Sequence, residues 1–200
     1  MSDHHQNLKR LSDEHYQGQA YVHWMFAIEE RKTGWLIPIF YYKFRELLTH
    51  TLFRYSITCP IFCCMPDHIH LLLIGIADDS DQRVAVKYLR TNLNLALEKL
   101  SCRLQRQPYD HVLKEDEVER AAFESTAEYI ARNPERKNLV GVDRYQEYKF
   151  TSCLVPGCPD LTPWQPDYWD RFWRIYSHQR KNGLQRHPSS RSRKRLDASR

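Results

Sequence analysis

Two apolar segments separated by a tight turn constrain the fold of this chain more than any other feature. Residues 55–65 and 68–75 are rich in aliphatic, aromatic and β-branched side chains, and Pro66 and Asp67 between them are typical turn residues. Strands joined by so short a turn pair antiparallel. Pro60 in the first segment cannot donate to a strand ladder, which indicates an edge strand or a bulge. The sequence therefore predicts an antiparallel hairpin.

The segments around this hairpin predict one more strand and several helices. Residues 21–28 are apolar and aromatic-rich, as in a strand, and Pro38 opens a helical stripe over residues 39–50. This order of elements, with adjacent antiparallel strands, indicates an α+β sandwich with helices on one face of a small antiparallel sheet. The other predicted helices cover residues 84–104, 115–133 and 167–180.

Composition excludes wholesale disorder and a membrane-spanning helix. The chain has 200 residues, of which 42% are hydrophobic, and no apolar run approaches the ~20 residues of a membrane span. The net charge is +5, and residues 186–200 hold six basic side chains against one acidic side chain. We therefore expect a soluble cytosolic protein without a signal peptide, whose basic tail either contacts phosphates or is a solvated end. The expected divisions are a main domain at 1–150, an aromatic-rich extension packed on it at 151–185, and a disordered basic tail at 186–200.

The six cysteines form no Cys-x-x-Cys pair. Cys153 and Cys158 flank a Pro-Gly turn that could bring two thiols together, which leaves a zinc site open as a hypothesis. Free buried thiols are the simpler interpretation in the absence of a secretory signal.

Two histidines alternate with aliphatic residues in the second hairpin strand. Because alternate side chains share one face of a strand, His68 and His70 point one way, and Ile69, Leu71 and Leu73 point into the core. Unpaired burial of two imidazoles is costly, so they must face solvent, a partner or a metal ion. The spacing predicts either a pair of metal ligands or two surface histidines beside a turn.

A tyrosine and an asparagine share one face of the helix predicted over residues 115–133. Tyr129 and Asn133 are four residues apart, close to the helix C-terminus. Tyr129 lies at the border of the buried stripe formed by Phe123, Ala127 and Ile130. Taken alone, this pattern is typical of an amphipathic tyrosine at the edge of a core.

Together, the two motifs resemble those of the single-tyrosine HUH transposases, in particular the REP-associated ones. Residues 66–73 (PDHIHLLL) contain the His–hydrophobic–His motif, and residues 129–140 (YIARNPERKNLV) resemble the tyrosine helix of that family. Residues 108–117 (PYDHVLKEDE) resemble the linker that leads into this helix. The resemblance extends over about residues 21–140.

The resemblance implies a ferredoxin-like sheet with the histidines on its central strand and the tyrosine on a helix. It implies that His68 and His70 hold Mg²⁺ or Mn²⁺ and that Tyr129 is the nucleophile. Asn133 would be a third metal ligand, at a position where insertion-sequence members often carry Gln. For Asp67 we favour a turn role over a contact with a histidine.

The implied function is a transposase-type transesterase that cleaves and rejoins single-stranded, hairpin-bearing DNA through a phosphotyrosine. The alternative is a domesticated module of the same fold that binds hairpin DNA without cutting it. The implied partner is single-stranded or hairpin DNA, the chain acts as a homodimer or a monomer, and the location is cytoplasmic and nucleoid-associated. The basic side chains predicted to contact DNA are Arg90, Arg103, Arg132, Arg136, Lys137, Arg171 and Arg174.

Overall fold

The structure is a computed structural model that describes residues 11–184, apart from the side chains of Glu115 and Asp116. Five antiparallel strands form one sheet in the order β4-β1-β3-β2-β5. The strands are β1 (Tyr21–Ala27), β2 (Ile57–Met65), β3 (His68–Gly75), β4 (Tyr109–Val112) and β5 (Thr151–Leu154). The helices are α1 (Pro38–Arg54), α2 (Gln82–Glu98), α3 (Glu115–Val118), α4 (Arg120–Ala131), α5 (Asn133–Arg136) and α6 (Tyr168–Asn182).

The predicted hairpin forms the centre of the sheet. β2 and β3 pair antiparallel, with Met65 opposite His68 across the turn, and every residue of both strands is buried. The ladder shifts register between Thr58 and Ile61, so Pro60 marks a bulge in an inner strand. The two histidines therefore lie on the middle strand of the sheet, at its N-terminal end beside the hairpin turn.

One face of the sheet is covered by α1 and α2, as the α+β prediction requires. Trp24 and Phe26 of β1 and Leu71 of β3 belong to one buried cluster with Phe44 of α1 and Leu89 of α2. The aliphatic and aromatic stripes of the two helices are thereby removed from water, which is the main stabilising contribution of such a layer. The predicted fold class, an α+β sandwich on a small antiparallel sheet, is confirmed.

The expectation that helices cover one face needs one correction, because α4 and α6 cover the other. Phe123 of α4 and Phe172 of α6 are fully buried, in a cluster with Leu72 and Ile74 of β3. Both faces of the central strand are therefore sealed by helices. Tyr176 of α6 donates to the carbonyl of Gly75 at 3.1 Å, which ties the C-terminal helix to the sheet.

Several element boundaries differ from the predicted ones for local reasons. The helix predicted over 115–133 is broken at Glu119, whose ψ is 140°, and at Arg132, whose ψ is 0°. The helix predicted over 84–104 ends at Glu98, and Ser101 beyond it has a φ of 53°. The strands β4 and β5 were not predicted, because four residues are too short to show a period of two.

The predicted extension supplies both β5 and α6 to the fold. The division at residue 150 stays a prediction, and the basic tail at 186–200 lies outside the described residues. Within the described part of the chain, no helix is long and apolar enough to cross a membrane.

Candidate active site

The two histidines of β3 lie side by side on the sheet face that α4 covers. His68 and His70 are 7% and 6% exposed, and their ring centroids are 4.6 Å apart. Their Nε2 atoms are only 2.9 Å apart. The expected common orientation is confirmed, since Ile69 and Leu71 belong to the cluster on the opposite face. The pair does not face open solvent as two surface histidines would.

Asp67 orients His68. One carboxylate oxygen of Asp67 lies 2.6 Å from Nδ1 of His68, and the other accepts from Nη1 of Arg31 at 3.2 Å. The interpretation of Asp67 as only a turn residue is therefore wrong. Burial opposes its ionisation, but the bond from His68 and the charge of Arg31 together keep the pKa of Asp67 below its usual value. An ionised Asp67 fixes the His68 proton on Nδ1, which leaves Nε2 as a lone-pair donor.

A third histidine, which the motif analysis missed, continues this chain of contacts. Nε2 of His23 lies 2.9 Å from Nδ1 of His70, and the two ring centroids are 5.1 Å apart. His23 is on β1, where Val22 and Trp24 face the α1–α2 layer, so its own side chain faces the same side as His70. Strand alternation in residues 21–27 was enough to predict which face His23 points to. Its contact with His70 could be recognised only from the pairing of β1 with β3.

The three imidazoles are held in the neutral form that a metal ligand requires. Burial, with smaller effects of neighbouring charges, lowers the pKa of His70 to about 2 and that of His23 to about 4. Burial also lowers the pKa of His68, although its hydrogen bond to Asp67 opposes this shift. Neutral imidazoles with convergent Nε2 atoms can donate lone pairs to a cation.

The separation of the two Nε2 atoms fits a single octahedral cation. Adjacent ligands with bonds of about 2.1 Å to one ion lie about 3.0 Å apart, and the observed distance is 2.9 Å. Within residues 11–184, no three side chains among His, Cys, Asp and Glu are grouped as a metal site. The histidine pair supplies two adjacent nitrogen ligands for such a cation.

Asn133 follows the end of α4 and is buried. Its amide nitrogen donates to the carbonyls of Tyr129 and Ile130 at 3.3 and 3.1 Å, so the oxygen is the atom that could bind a hard cation. Lys137, one turn further along, is near enough for its charge to contribute to the lowered pKa of His68. α4 packs on the sheet face that bears the histidines and α5 contacts β2, although Asn133 does not continue α4 as predicted.

Tyr129 projects from α4 and is 52% exposed, so its hydroxyl is accessible. The guanidinium carbon of Arg136 lies 4.0 Å from the centre of its ring, and Nη1 of Arg136 donates to the Tyr129 carbonyl at 2.9 Å. Arg136 was predicted to contact DNA. In the structure, Arg136 also holds Tyr129, the predicted nucleophile, through these two contacts.

Arg132, also predicted to contact DNA, is bound by carboxylates and an aromatic ring of this chain. It donates to the carboxylates of Glu128, Glu135 and Asp143 at 2.8–3.1 Å, and its guanidinium carbon lies 4.4 Å from the ring centre of Tyr145. These contacts join α4 to the segment that follows α5. A phosphate would have to displace carboxylates to reach this side chain.

A basic groove lies along α2 on the face away from the histidines. The groove has a volume of about 680 Å³, and its lining includes Lys87, Arg90, Arg103 and Arg106. Arg90 donates to the backbone carbonyls of Gln105 and Arg106, so it holds the segment after α2 in place. Arg103 is exposed at the rim, and its predicted phosphate contact stays a prediction.

The remaining predicted DNA contacts are in the C-terminal helix. Nη1 of Arg171 donates to Gln165 at 2.9 Å, and Arg174 is exposed on α6. The helix packs through its aromatic side chains, and the ring centroid of Trp173 lies 5.2 Å from that of Phe123. Whether Arg171 and Arg174 contact DNA stays a prediction.

The zinc hypothesis at Cys153 and Cys158 gains no support. Sγ of Cys153 is buried and donates to the carbonyl of Leu161 at 3.1 Å. Burial raises the pKa of both thiols, to about 11 for Cys153, and so opposes the thiolate form that zinc binds.

Comparisons with known proteins agree with the motifs. No family model matches the chain. A Haemophilus influenzae protein described as "Putative REP-associated tyrosine transposase" is 26% identical over 114 residues, which is 50% of this chain and 62% of that protein. A solved structure of a REP-associated tyrosine transposase bound to a REP hairpin superposes with a TM-score of 0.58 at 13% identity, covering 72% of this chain and 82% of that one. The chain is therefore similar to the REP-associated tyrosine transposases, in sequence over half of its length and in fold over most of it.

Proposed function

We propose that this protein is a metal-dependent DNA transesterase that cleaves and rejoins single-stranded, hairpin-bearing DNA through Tyr129. The observation that supports the proposal best is the pair of neutral imidazoles whose Nε2 atoms lie 2.9 Å apart, on the sheet face that is covered by α4, the helix of Tyr129. Two neutral nitrogen donors on the face covered by a helix with an exposed tyrosine suit phosphoryl transfer better than they suit a purely structural role.

His68, His70 and the oxygen of Asn133 would hold Mg²⁺ or Mn²⁺. When bound there, the cation supplies Lewis-acid stabilisation of charge on the scissile phosphate. Asp67 keeps His68 in the ligand tautomer, and Arg31 on the outer side of Asp67 adds positive charge near the same phosphate. Lys137 adds a second cation on the α5 side.

The reaction conserves the energy of the phosphodiester bond. The hydroxyl oxygen of Tyr129 bonds to phosphorus and gives up its proton, while the phosphorus–oxygen bond to the leaving sugar breaks and that oxygen takes up a proton. The product is a phosphotyrosine, and attack by a hydroxyl of another DNA end reverses the exchange. Rejoining therefore needs no nucleotide cofactor. The exposure of Tyr129 leaves room for a DNA strand to approach.

We extend hairpin recognition to this chain because the relative is described as a transposase of this type and the structural neighbour holds a REP hairpin. Arg103 and Arg106 in the groove along α2 offer positive charge for the phosphates of a duplex stem. We propose that the protein is located in the cytoplasm, associated with the nucleoid, and that it acts either as a monomer or as a homodimer.

The test is a strand-cleavage assay with labelled hairpin-flanked single-stranded DNAs and Mn²⁺ or Mg²⁺. We expect Tyr129→Phe to abolish cleavage and to leave hairpin binding intact. Tyr42→Phe is the matched control, because Tyr42 is also exposed, at 70%, but lies on α1. Cleavage by Tyr129→Phe at the wild-type rate would contradict the proposal. Hairpin binding without cleavage under any divalent cation would favour the non-catalytic module instead.

A further inference from the structure

We propose that His23 is a positioning residue that sets the orientation and tautomer of His70 for metal binding. The inference rests on the proposed metal role of the histidine pair, and it concerns a side chain outside the His–hydrophobic–His motif. Nε2 of His23 is 2.9 Å from Nδ1 of His70, the ring nitrogen that faces away from His68.

The contacts determine one consistent arrangement of protons in the metal-free protein. Asp67 accepts from Nδ1 of His68, so Nε2 of His68 has no proton and accepts. The hydrogen bond between the two Nε2 atoms then needs the proton of His70. Neutral His70 has no second proton, so its Nδ1 accepts from Nε2 of His23. Each of the three rings carries one proton in this arrangement.

Metal binding requires His70 to change tautomer, whereas His68 already presents a lone pair at Nε2. The Nε2 proton of His70 leaves, and the Nε2 proton of His23 moves to Nδ1 of His70. His23 takes up a proton at its own Nδ1, so no net proton is lost from the two rings. Nδ1–H of His70 now donates to Nε2 of His23. An acceptor at position 23 satisfies this buried donor, and its loss is costly because an unpaired buried N–H is unfavourable.

The sheet holds His23 in place for this role. β1 pairs with β3 from Tyr21 opposite Ile74 to Ala27 opposite His68. His23 is opposite Leu72, so His70 is its diagonal neighbour on the same face. The planes of the two rings are inclined by 31°, and the two facing nitrogens are within hydrogen-bond distance. His111 of β4 is directly opposite His23 on the other side, but its Nε2 contacts Glu117 at 2.9 Å. Asp67 makes the equivalent contact with Nδ1 of His68, so each proposed ligand has a hydrogen-bond partner at the ring nitrogen that does not face the metal.

The test measures Mn²⁺ affinity without DNA, from the free Mn²⁺ signal in electron paramagnetic resonance. We expect His23→Phe to weaken binding about 10–100-fold, as loss of a ligand's hydrogen-bond partner does. His23→Gln, whose side-chain oxygen can accept, should recover part of the affinity, and His111→Phe is the matched control with little expected effect. Wild-type affinity in His23→Phe, together with loss of binding in His70→Ala, would overturn the role of His23 alone. Unchanged binding in both His68→Ala and His70→Ala would instead overturn the metal site itself.

The tautomer of His70 can also be measured directly, without a substitution at position 23. In the wild-type protein, ¹⁵N chemical shifts of the His70 ring report which nitrogen carries the proton. We expect the proton to be on Nε2 without metal and on Nδ1 with saturating Mg²⁺. A ring that keeps its proton on Nε2 when Mg²⁺ binds would contradict the inference.

Discussion

Arg136 makes two contacts with Tyr129. Its guanidinium carbon lies 4.0 Å from the centre of the tyrosine ring, and its Nη1 donates to the Tyr129 backbone carbonyl at 2.9 Å. A planar guanidinium can stack and donate at once, and an ammonium cannot reproduce this geometry. The contact therefore restricts the directions in which the proposed nucleophile points. A substitution of Arg136 that keeps its charge can therefore separate an effect on the position of Tyr129 from an effect on DNA affinity.

We expect Arg136→Lys to slow formation of the phosphotyrosine while changing hairpin affinity less than about twofold, since Lys keeps the charge. Cation–π contacts at exposed sites contribute about 0.5–1 kcal/mol, which corresponds to a loss of about 2–5-fold in rate. Single-turnover rates and binding isotherms measured on the same DNA make the distinction. If affinity and rate fall in parallel, Arg136 acts on the DNA and not on Tyr129.

The lowered pKa values of the buried histidines predict that the metal-free protein loses stability in mild acid. The pKa of His70 falls from 6.5 to about 2 and that of His23 from 6.5 to about 4, so the unfolded chain binds protons first as pH falls. Their contribution is fully present above pH 6.5 and declines below it, by about 1.4 kcal/mol per pH unit for each proton.

Urea unfolding in EDTA at pH 7.0 and 5.5 measures this loss, and we expect a decrease of about 2 kcal/mol. The variant His23→Gln should show a shallower pH dependence than the wild type, because one of the rings with a lowered pKa is gone. A free energy of unfolding that is constant over this range would contradict the burial of neutral imidazoles.

Gly75 at the end of β3 has no room for a side chain. A Cβ there would overlap the backbone carbonyl of Gly18, and the Gly75 amide donates to Ala20 at 3.2 Å. We expect Gly75→Ala to cost at least about 2 kcal/mol of unfolding free energy, since backbone cannot yield as a side-chain end can. Gly141→Ala is the control, because its Cβ would meet only the Arg144 side chain, at 3.3 Å. Equal thermal stability of the two variants would contradict this packing.

The groove along α2 predicts a specific salt dependence of DNA binding. If Arg103 contacts a phosphate, Arg103→Ala should reduce the slope of log affinity against log salt concentration by about one and weaken binding uniformly across sequences. Arg144→Ala is the comparison, because Arg144 is already paired with Glu147 at 2.6 Å. An unchanged slope in Arg103→Ala would place the hairpin elsewhere.

The sequence predicted the parts of this protein whose pattern is local. The hairpin and the common orientation of His68 and His70 follow from alternation within one strand, and β3 has the predicted limits of residues 68–75. The α+β class follows from the order of the elements. The metal and nucleophile roles came from the family resemblance and stay proposals.

The parts that were missed depend on contacts between distant segments. His23 meets His70 only through the pairing of β1 with β3, which no local pattern specifies. Asp67 could be recognised as the partner of His68 only when the turn geometry was known. The second helical layer was missed because α4 and α6 pair with a sheet face that contains both aliphatic residues and the histidines.

The mass of the peptide that contains residue 129, measured after reaction with hairpin-flanked single-stranded DNA and Mn²⁺, tests whether Tyr129 is the nucleophile. We predict a covalent DNA adduct on Tyr129 that is absent in EDTA and absent in His68→Ala and His70→Ala. An adduct on another residue would rule out Tyr129 as the nucleophile, and a Tyr129 adduct that forms equally well in EDTA and in both histidine variants would rule out a metal-dependent reaction.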